Sequence, residues 1–279
     1  MTRSSSIQKG TAEGRAMADA VAAAWERSDA PGLTLIKDSK ARVYRFVGEG
    51  ATCYLKVYIP HTLRDHAALW LRPPARLFRS AELLRARGVP GPIPLAAMTL
   101  TVAGRKRGAF LMSAVEGIPL KDLAAQNCVR TAVSPGTALG VINATATLWG
   151  QLIRNGFVHM DPVKGNFLVD LSGPTPTVAV IDVDNIRRPP WLPRTIRRRR
   201  LLKMARRHLG AALRLLDRTC LPSAVARQFV RAYARAAGQP LHLAWQDWRW
   251  VGRRLAHDSS RAARQLERVP LTGDSSPSS

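Results

Sequence analysis

The chain has 279 residues, 46% of them hydrophobic, enough to fill the core of one large domain or of two lobes around a cleft. Its 43 Lys and Arg against 19 Asp and Glu leave a net charge of +24, a field that favours a polyanionic partner, whether nucleic acid, an anionic membrane face or a phosphorylated substrate. Three widely separated cysteines, Cys53, Cys128 and Cys220, argue against a disulfide framework or a zinc site and fit a reducing cytoplasm. The interrupted stretch from Ala16 to Trp25 makes no signal peptide, and no apolar run reaches the ~18–20 residues of a membrane span, so any membrane contact is expected to be peripheral.

In chain order, residues 1–30 mix Ser, Thr, Gly and charge around one Ala-rich amphipathic stretch and end at the turn signal Asp29-Ala-Pro-Gly; they read as a loosely attached extension, flexible or helical. Residues 31–113 read as a β-rich lobe. Three short runs, Leu33-Thr-Leu-Ile, Arg42 to Val47 and Thr52 to Tyr58, predict an antiparallel meander. Arg76 to Arg87 predicts a helix with Leu77, Ala81 and Leu84 on one face, stopped by Gly88 and Pro90. Two further strands are expected around Ala96 to Val102 and Ala109 to Val115. Residues 114–270 turn helical, Thr137 to Asn155 being the clearest segment, with strand signals returning only at Phe167-Leu-Val and Thr177 to Ile181 around the turn Ser172-Gly-Pro. From Arg197 to Val269 the chain reads as Arg-rich helix, and the tail 271–279 has the composition of disorder.

The most specific motif is His159-Met-Asp-Pro-Val-Lys-Gly-Asn166, followed after a turn by Val180-Ile-Asp182-Val-Asp-Asn. Phosphoryl transfer needs an oriented hydroxyl, metal ions bridging the phosphates and positive charge near the transferring group, rather than covalent help from the protein. Asp161 is placed to orient or accept the hydroxyl proton. Asn166 and Asp182 supply oxygen ligands of the kind Mg2+ prefers.

These residues resemble the catalytic and metal-binding loops of protein-kinase-like enzymes, and the resemblance runs from about Leu33 to Leu216. It implies an α+β, bilobal protein-kinase-like fold and ATP as phosphate donor. It also implies a strand lysine, Lys56, on the α and β phosphates, paired with Glu82 on the single helix of the first lobe. The residues themselves agree in part: Lys56 lies in an apolar strand where a charge needs a partner, and Glu82 is the only acid in its helix. Strand alternation equally permits Lys56 to face solvent. The segment Phe110 to Gly117 resembles the hinge that receives adenine, with Met112 lining the pocket and Ser113 and Val115 offering main-chain groups. The loop over the phosphates departs from the pattern: Asp38-Ser39-Lys40-Ala41 has no glycine, leaving Ser39 and Lys40 to contact phosphate. Lys164, the candidate for the γ-phosphate, stands three residues after Asp161. Met160 replaces the arginine of regulated kinases and no Ala-Pro-Glu follows Asp182, so neither loop-phosphorylation control nor a protein-substrate docking surface is expected. His159 reads as a buried support for the loop, and Asp184 as a structural group.

Beyond the common core, Arg79-Ser-Ala-Glu-Leu-Leu with Gly88-Val-Pro-Gly-Pro-Ile-Pro, the Tyr54-Leu-Lys-Val-Tyr strand and Val180-Ile-Asp-Val-Asp-Asn before an Arg-rich helix resemble the bacterial lipopolysaccharide kinases. That likeness implies transfer of the ATP γ-phosphate to a Kdo or heptose hydroxyl of the inner core. The basic run Arg197–Arg200, Lys203, Arg206, Arg207 and Arg214 suits an anionic glycolipid or phosphorylated sugar at an anionic cytoplasmic membrane face, or is only a solvated surface. Trp245, Trp248 and Trp250 read as a packing stripe or as sugar-stacking groups. No nucleic-acid motif accompanies the charge, so no specific nucleic acid is expected. A small-molecule or protein kinase of the same fold remains open; a basic pseudokinase or binding module is disfavoured by the intact Lys56, Glu82, Asp161, Asn166 and Asp182 set.

Overall fold

A computed structural model of the chain describes residues 4–27, 32–39, 41–48, 50–126, 134–189, 193–203 and 222–266. Two units result: Met1–Ala125 with Lys164–Arg187, and Gln126–Val163 with Arg188–Ser279.

The first unit holds strands β1 (Ser5–Gly10), β2 (Leu33–Lys37), β3 (Ala41–Gly48), β4 (Ala51–Tyr58), β5 (Pro94–Val102), β6 (Arg105–Ser113) and β7 (Ile118–Pro119), and helices α1 (Ala12–Glu26), α2 (Leu63–Leu71) and α3 (Pro74–Ala86). Helix α4 (Leu120–Gln126) follows β7. Six of the strands form one antiparallel sheet in the order β1-β5-β6-β4-β3-β2, with β3 and β4 in unbroken register from Ala41 opposite Tyr58 to Gly48 opposite Ala51. In β4 the side chains of Cys53, Leu55 and Val57 are buried while Thr52, Tyr54 and Lys56 between them are only partly so, the period of two expected of a strand with unlike faces.

The buried face is covered by α1, whose Ala18, Val21, Ala24 and Trp25 recur at helical spacing and join Phe46, Leu55, Met98, Leu100 and Leu111 in one apolar core. Each large side chain so buried contributes about 1.5–3 kcal/mol relative to leaving it in water. The Trp25 indole N–H donates to Thr101 O at 3.2 Å, and its ring meets Tyr44 edge-on at 5.4 Å. Thr11 Oγ1 caps α1 by accepting from Gly14 N at 2.9 Å. Gly14 also lets α1 approach the sheet, because a Cβ there would stand 2.3 Å from Leu95 O. The expectation of a loosely attached extension is therefore corrected: α1 supplies four of the thirteen buried residues of this core, and β1 adds a strand beside β5, from Ser5 opposite Leu100 to Gly10 opposite Ala96. Helix α3 packs on β5 and β6 through Leu77, Phe78, Ala81 and Leu84.

The same unit contains the hairpin of β9 (Phe167–Asp170) and β10 (Thr177–Val180), with β7 paired to β9, and the short strand β11 (Ile186–Arg187). Asp170 Oδ1 accepts from Ser172 N at 2.9 Å, fixing the hairpin turn.

The second unit is helical apart from the short strand β8 (Val158–His159): α5 (Pro135–Arg154), α6 (194–203), α7 (Pro222–Ala237) and α8 (Leu241–Leu266). Ser134 Oγ caps α5 by accepting from Thr137 N at 3.1 Å, and Pro135 opens it. Helices α5 and α7 pack closely because Gly150 meets Ala236 and the carbonyl of Tyr233, a Cβ at Gly150 lying only 2.7 Å from each. Trp248 of α8 packs on Phe229 of α7 with ring centres 5.2 Å apart, the packing role among the two readings of the tryptophan stripe. Cys128, Cys220, Arg206, Arg207, Arg214 and the tail 271–279 lie outside the described residues.

Candidate active site

Strand β4, the turn before β9 and the segment after β10 bring three of the expected site residues, Lys56, Asn166 and Asp182, into one cluster of the first unit. Alternation along β4 turns Lys56 away from the α1-covered face. Asp182 follows β10 directly, and Asp184 and Asn185 follow on a 3-10 turn, Val183–Asn185. The ammonium of Lys56 donates to Asp182 Oδ1 at 2.9 Å and to both carboxylate oxygens of Asp184 at 2.8 Å. Asp182 Oδ2 accepts from the amide of Asn185 and, at 3.4 Å, from that of Asn166, which the 3-10 turn Lys164–Asn166 delivers. The backbone ties these pieces together, Ile181 N donating to Asn166 O at 3.0 Å and Val180 N to Pro90 O at 3.1 Å. Arg72 fastens the turn from behind, donating to Asp184 O at 2.6 Å and to Ile186 O at 3.0 Å.

One cation sits between two carboxylates in this cluster. Burial opposes the Lys56 ammonium, but the adjacent carboxylates of Asp184 and then Asp182 outweigh it and hold its pKa above the usual lysine range. Burial pushes the Asp184 carboxyl up to about 6; Lys56 pulls it down, and the neighbouring Asp182 charge pushes it up. Burial also works against Asp182, but hydrogen bonding with Asp184, the charge of Lys56 and the Asn185 amide hold it below the usual carboxylate range. Two carboxylates facing one ammonium leave a surplus negative charge, and the two carboxylates with the side-chain carbonyls of Asn166 and Asn185 form a hard oxygen donor set, so these residues fit a divalent cation such as Mg2+.

Glu82 stands elsewhere. It is exposed on α3 one position past the buried Ala81, about 100° around the helix. The expected Lys56–Glu82 pair is replaced by Lys56 with Asp182 and Asp184. Sequence reasoning left Asp184 as a structural group and passed over Asn185 and Arg72. The spacing of two between Asp182 and Asp184 gives no sign by itself that both carboxylates reach Lys56; the cap and the 3-10 turn Val183–Asn185 bring them there.

The other candidates of this unit fall as follows. Met112 is half-buried on β6 opposite Tyr54. Ser113 is already engaged: its N–H donates to Ile93 O at 2.9 Å and its Oγ accepts from Ile93 N at 2.9 Å, so its N–H is not offered to a ligand as expected. Ala114 N donates to Thr52 O at 3.1 Å, and the half-buried Val115 comes next along the chain. Ser39 is exposed in the β2–β3 connection, its Oγ 3.4 Å from Ala41 O, and Lys40 lies outside the described residues. Lys164 is half-buried in the turn that carries Asn166.

In the second unit, β8 leads into the loop bearing Asp161. His159 is fully buried, and its Nδ1 accepts from Asp161 N at 3.2 Å, the supporting role expected of it. The Asp161 side chain remains 46% exposed. Helix α6 braces this loop: Lys203 Nζ donates to Met160 O at 2.6 Å and lies 3.4 Å from Asp161 Oδ1. The same helix is anchored to α8, where Arg194 and Arg198 donate to the buried Asp247 at 2.9 and 2.6 Å. Part of the basic run read as a substrate or membrane surface is thus spent internally, Lys203 on the loop and Arg198 on Asp247. The pairing partner, Asp247, lies 49 residues away from Arg198 and gave no local sign.

The family described as Lipopolysaccharide kinase (Kdo/WaaP) matches residues 40–233 of the chain. Among solved structures the chain is similar to WaaP in complex with acyl carrier protein, with 16% identity and a TM-score of 0.59 over 82% of this chain and 88% of that one. It is also similar to the PknI kinase domain of Mycobacterium tuberculosis, with 19% identity and a TM-score of 0.44 over 76% of this chain and 89% of that one. For the BubR1 kinase domain the values are 14% and 0.42, over 58% and 48%. No curated protein matches the sequence. The likeness to WaaP shows the bilobal, protein-kinase-like α+β fold.

Proposed function

The chain belongs to the lipopolysaccharide kinase (Kdo/WaaP) family, and from that premise we propose that it transfers the γ-phosphate of ATP to a Kdo or heptose hydroxyl of the lipopolysaccharide inner core at the cytoplasmic face of the membrane. As a member of that family it is a phosphotransferase, a kinase acting on the lipopolysaccharide core. The observation that carries the finer reading is the cluster in which Lys56 is held by Asp182 and Asp184 beside Asn166.

Lys56 is fixed by two carboxylates and presents one ammonium for the donor phosphates. Asp182, Asp184 and Asn166 would hold Mg2+, which supplies charge neutralisation of the phosphates when bound. Asp161 is assigned to the acceptor: its half-exposed carboxylate can receive or orient a sugar hydroxyl, while His159 and Lys203 fix the backbone that carries it. Met112 and Val115 belong to the proposed adenine side.

Peripheral membrane contact is part of the proposal. No helix among the described residues is long and apolar enough to cross a membrane. Helix α2, however, leaves Leu63 89% and Trp70 82% exposed, one i, i+7 step apart, with Leu71 beside them, and the chain carries a charge of +24. Since the structural neighbour WaaP is solved with acyl carrier protein, a protein partner is proposed for this chain as well. The test is incubation of the purified chain with radiolabelled ATP, Mg2+ and Kdo-lipid acceptors, followed by phase extraction. Label in the lipid phase is expected; label confined to small soluble molecules, or to the protein itself, overturns the acceptor assignment.

A further inference from the structure

A second concentration of positive charge lies in the helical unit, in a groove lined by none of the residues assigned to phosphoryl transfer. A cavity of about 630 Å³ runs between α5 and α7. Arg227, Arg231 and Arg235 line it from α7 at i, i+4 and i+8, a single row about 12 Å long on one helix face. From α5, Asn143, Thr147 and Gln151 form a matching row at the same spacing, and Arg154 closes one end.

Neither helix contains an Asp or a Glu. Among the described residues, none of the four arginines has an ion pair or a hydrogen bond. Arg194 and Arg198, two helices away in the same unit, show the alternative: there a buried Asp247 takes up both guanidinium groups. All four arginines are solvent-exposed, and their like charges repel one another along one open groove. The close contact at Gly150 holds the two helix backbones together, so the arginine row and the polar row facing it start from a fixed separation.

Guanidinium groups bind phosphate by paired, parallel hydrogen bonds, and a row of three spans more than one phosphate. The cavity has no aromatic lining, so it lacks the stacking platform on which a single-stranded nucleic acid relies. We infer that the α5–α7 groove is a binding site for a ligand carrying two or more phosphate groups, taken either as a lipid headgroup or as a free oligophosphate. This inference does not depend on the phosphotransfer assignment, because no residue of that assignment lines the groove.

The full-length chain is compared with R227Q/R231Q and with R249Q/R253Q, which removes the same charge from exposed positions on α8. Binding is read by calorimetry with tripolyphosphate, by flotation with phosphatidylcholine vesicles containing cardiolipin, and by anisotropy with a single-stranded oligonucleotide. Expected is at least tenfold weaker binding by R227Q/R231Q, and near-parental binding by R249Q/R253Q, in the tripolyphosphate arm if the ligand is soluble or in the cardiolipin arm alone if it is a headgroup. Absence of binding in both arms, equal losses in the two variants, or a loss confined to the oligonucleotide overturns the inference. Thermal melting checks the fold. If R227Q/R231Q does not fold, R227K/R231K, which keeps the charge and loses the fork, decides: weaker binding supports the site and unchanged affinity overturns it.

Discussion

Two carboxylate sites in this chain are built in opposite ways. Around Lys56 two aspartates close on a single ammonium while two asparagines donate to Asp182, and the side chains of Lys56, Asp182 and Asp184 are only 16–21% exposed. At Asp161 one carboxylate stands 46% exposed, and its nearest cation, Lys203, is shared with the carbonyl of Met160. The difference fits the two tasks proposed for them. Groups that hold a metal and phosphates gain from being fixed before the ligands arrive, since reorganisation is then avoided. A group proposed to meet a sugar hydroxyl must stay within reach, as the half-exposed Asp161 carboxylate does.

The largest expected effect breaks that comparison on the Asp161 side. Asp161→Asn should lower kcat with a Kdo-lipid acceptor by roughly 10²–10⁴-fold, the scale of a lost general base. Stability should stay within about 0.5 kcal/mol, because a half-exposed side chain contributes little to the fold. Steady-state kinetics beside a urea melt separates the two. A melt that falls along with activity would place Asp161 with the holding groups.

Next in size is Lys56→Met. It leaves Asp182 and Asp184 facing each other without a cation, and losing one partner of a buried ion pair costs about 3–5 kcal/mol, reduced here because the cluster is not fully sealed. Urea unfolding measures the loss, and adding Asp184→Asn to the same chain should restore part of it. A single variant as stable as the parent would mean that Lys56 is not what balances these carboxylates.

Much of this was legible because it is local. The β2–β3–β4 meander, the β9–β10 hairpin and α5 follow from alternation, turn residues and helical periodicity over short windows. The 16-residue spacing that brings Asn166 to Asp182 is spanned by one hairpin, so the motif carried its own geometry. What was missed depends on contacts between distant segments. Strand β1 has little apolar alternation of its own, and its place is set by backbone pairing with β5, some ninety residues later. Glu82 was assigned by type in a helix whose rotation is decided by Leu77, Phe78, Ala81 and Leu84, and that rotation carries it outward. The arginines of α6 looked like a surface until Asp247, on another helix, was seen to pair with them.

Helix α6 offers a finer test of the same contrast. Lys203→Met removes the donor to Met160 O while leaving Asp161 in place. The expected loss is about tenfold in kcat, the size of one charge-assisted hydrogen bond of about 1.5 kcal/mol. KM for ATP should not move, since Lys203 belongs to the acceptor loop and not to the Lys56 cluster. A change in ATP affinity with kcat intact would assign Lys203 to the donor instead.

The smallest effect is an expected absence of reaction, and it tests the two faces of β4 against each other. Cys53 lies three residues before Lys56 on the opposite, α1-covered face, 1% exposed. Burial pushes its thiol up to about 12, so at pH 8 only about one molecule in ten thousand carries the reactive thiolate. Iodoacetamide should therefore leave Cys53 unmodified in the native chain under conditions that label it fully in urea, as read by peptide mass spectrometry. The thiolate fraction grows as pH rises toward the folded pKa, so labelling that appears at pH 8 cannot come from the folded state. It would come from opening of the sheet's covered face, and hence from α1 leaving it. Rapid labelling at pH 8 would return the N-terminal segment to the loose extension that its composition suggests, and would separate it from the core that supports Lys56.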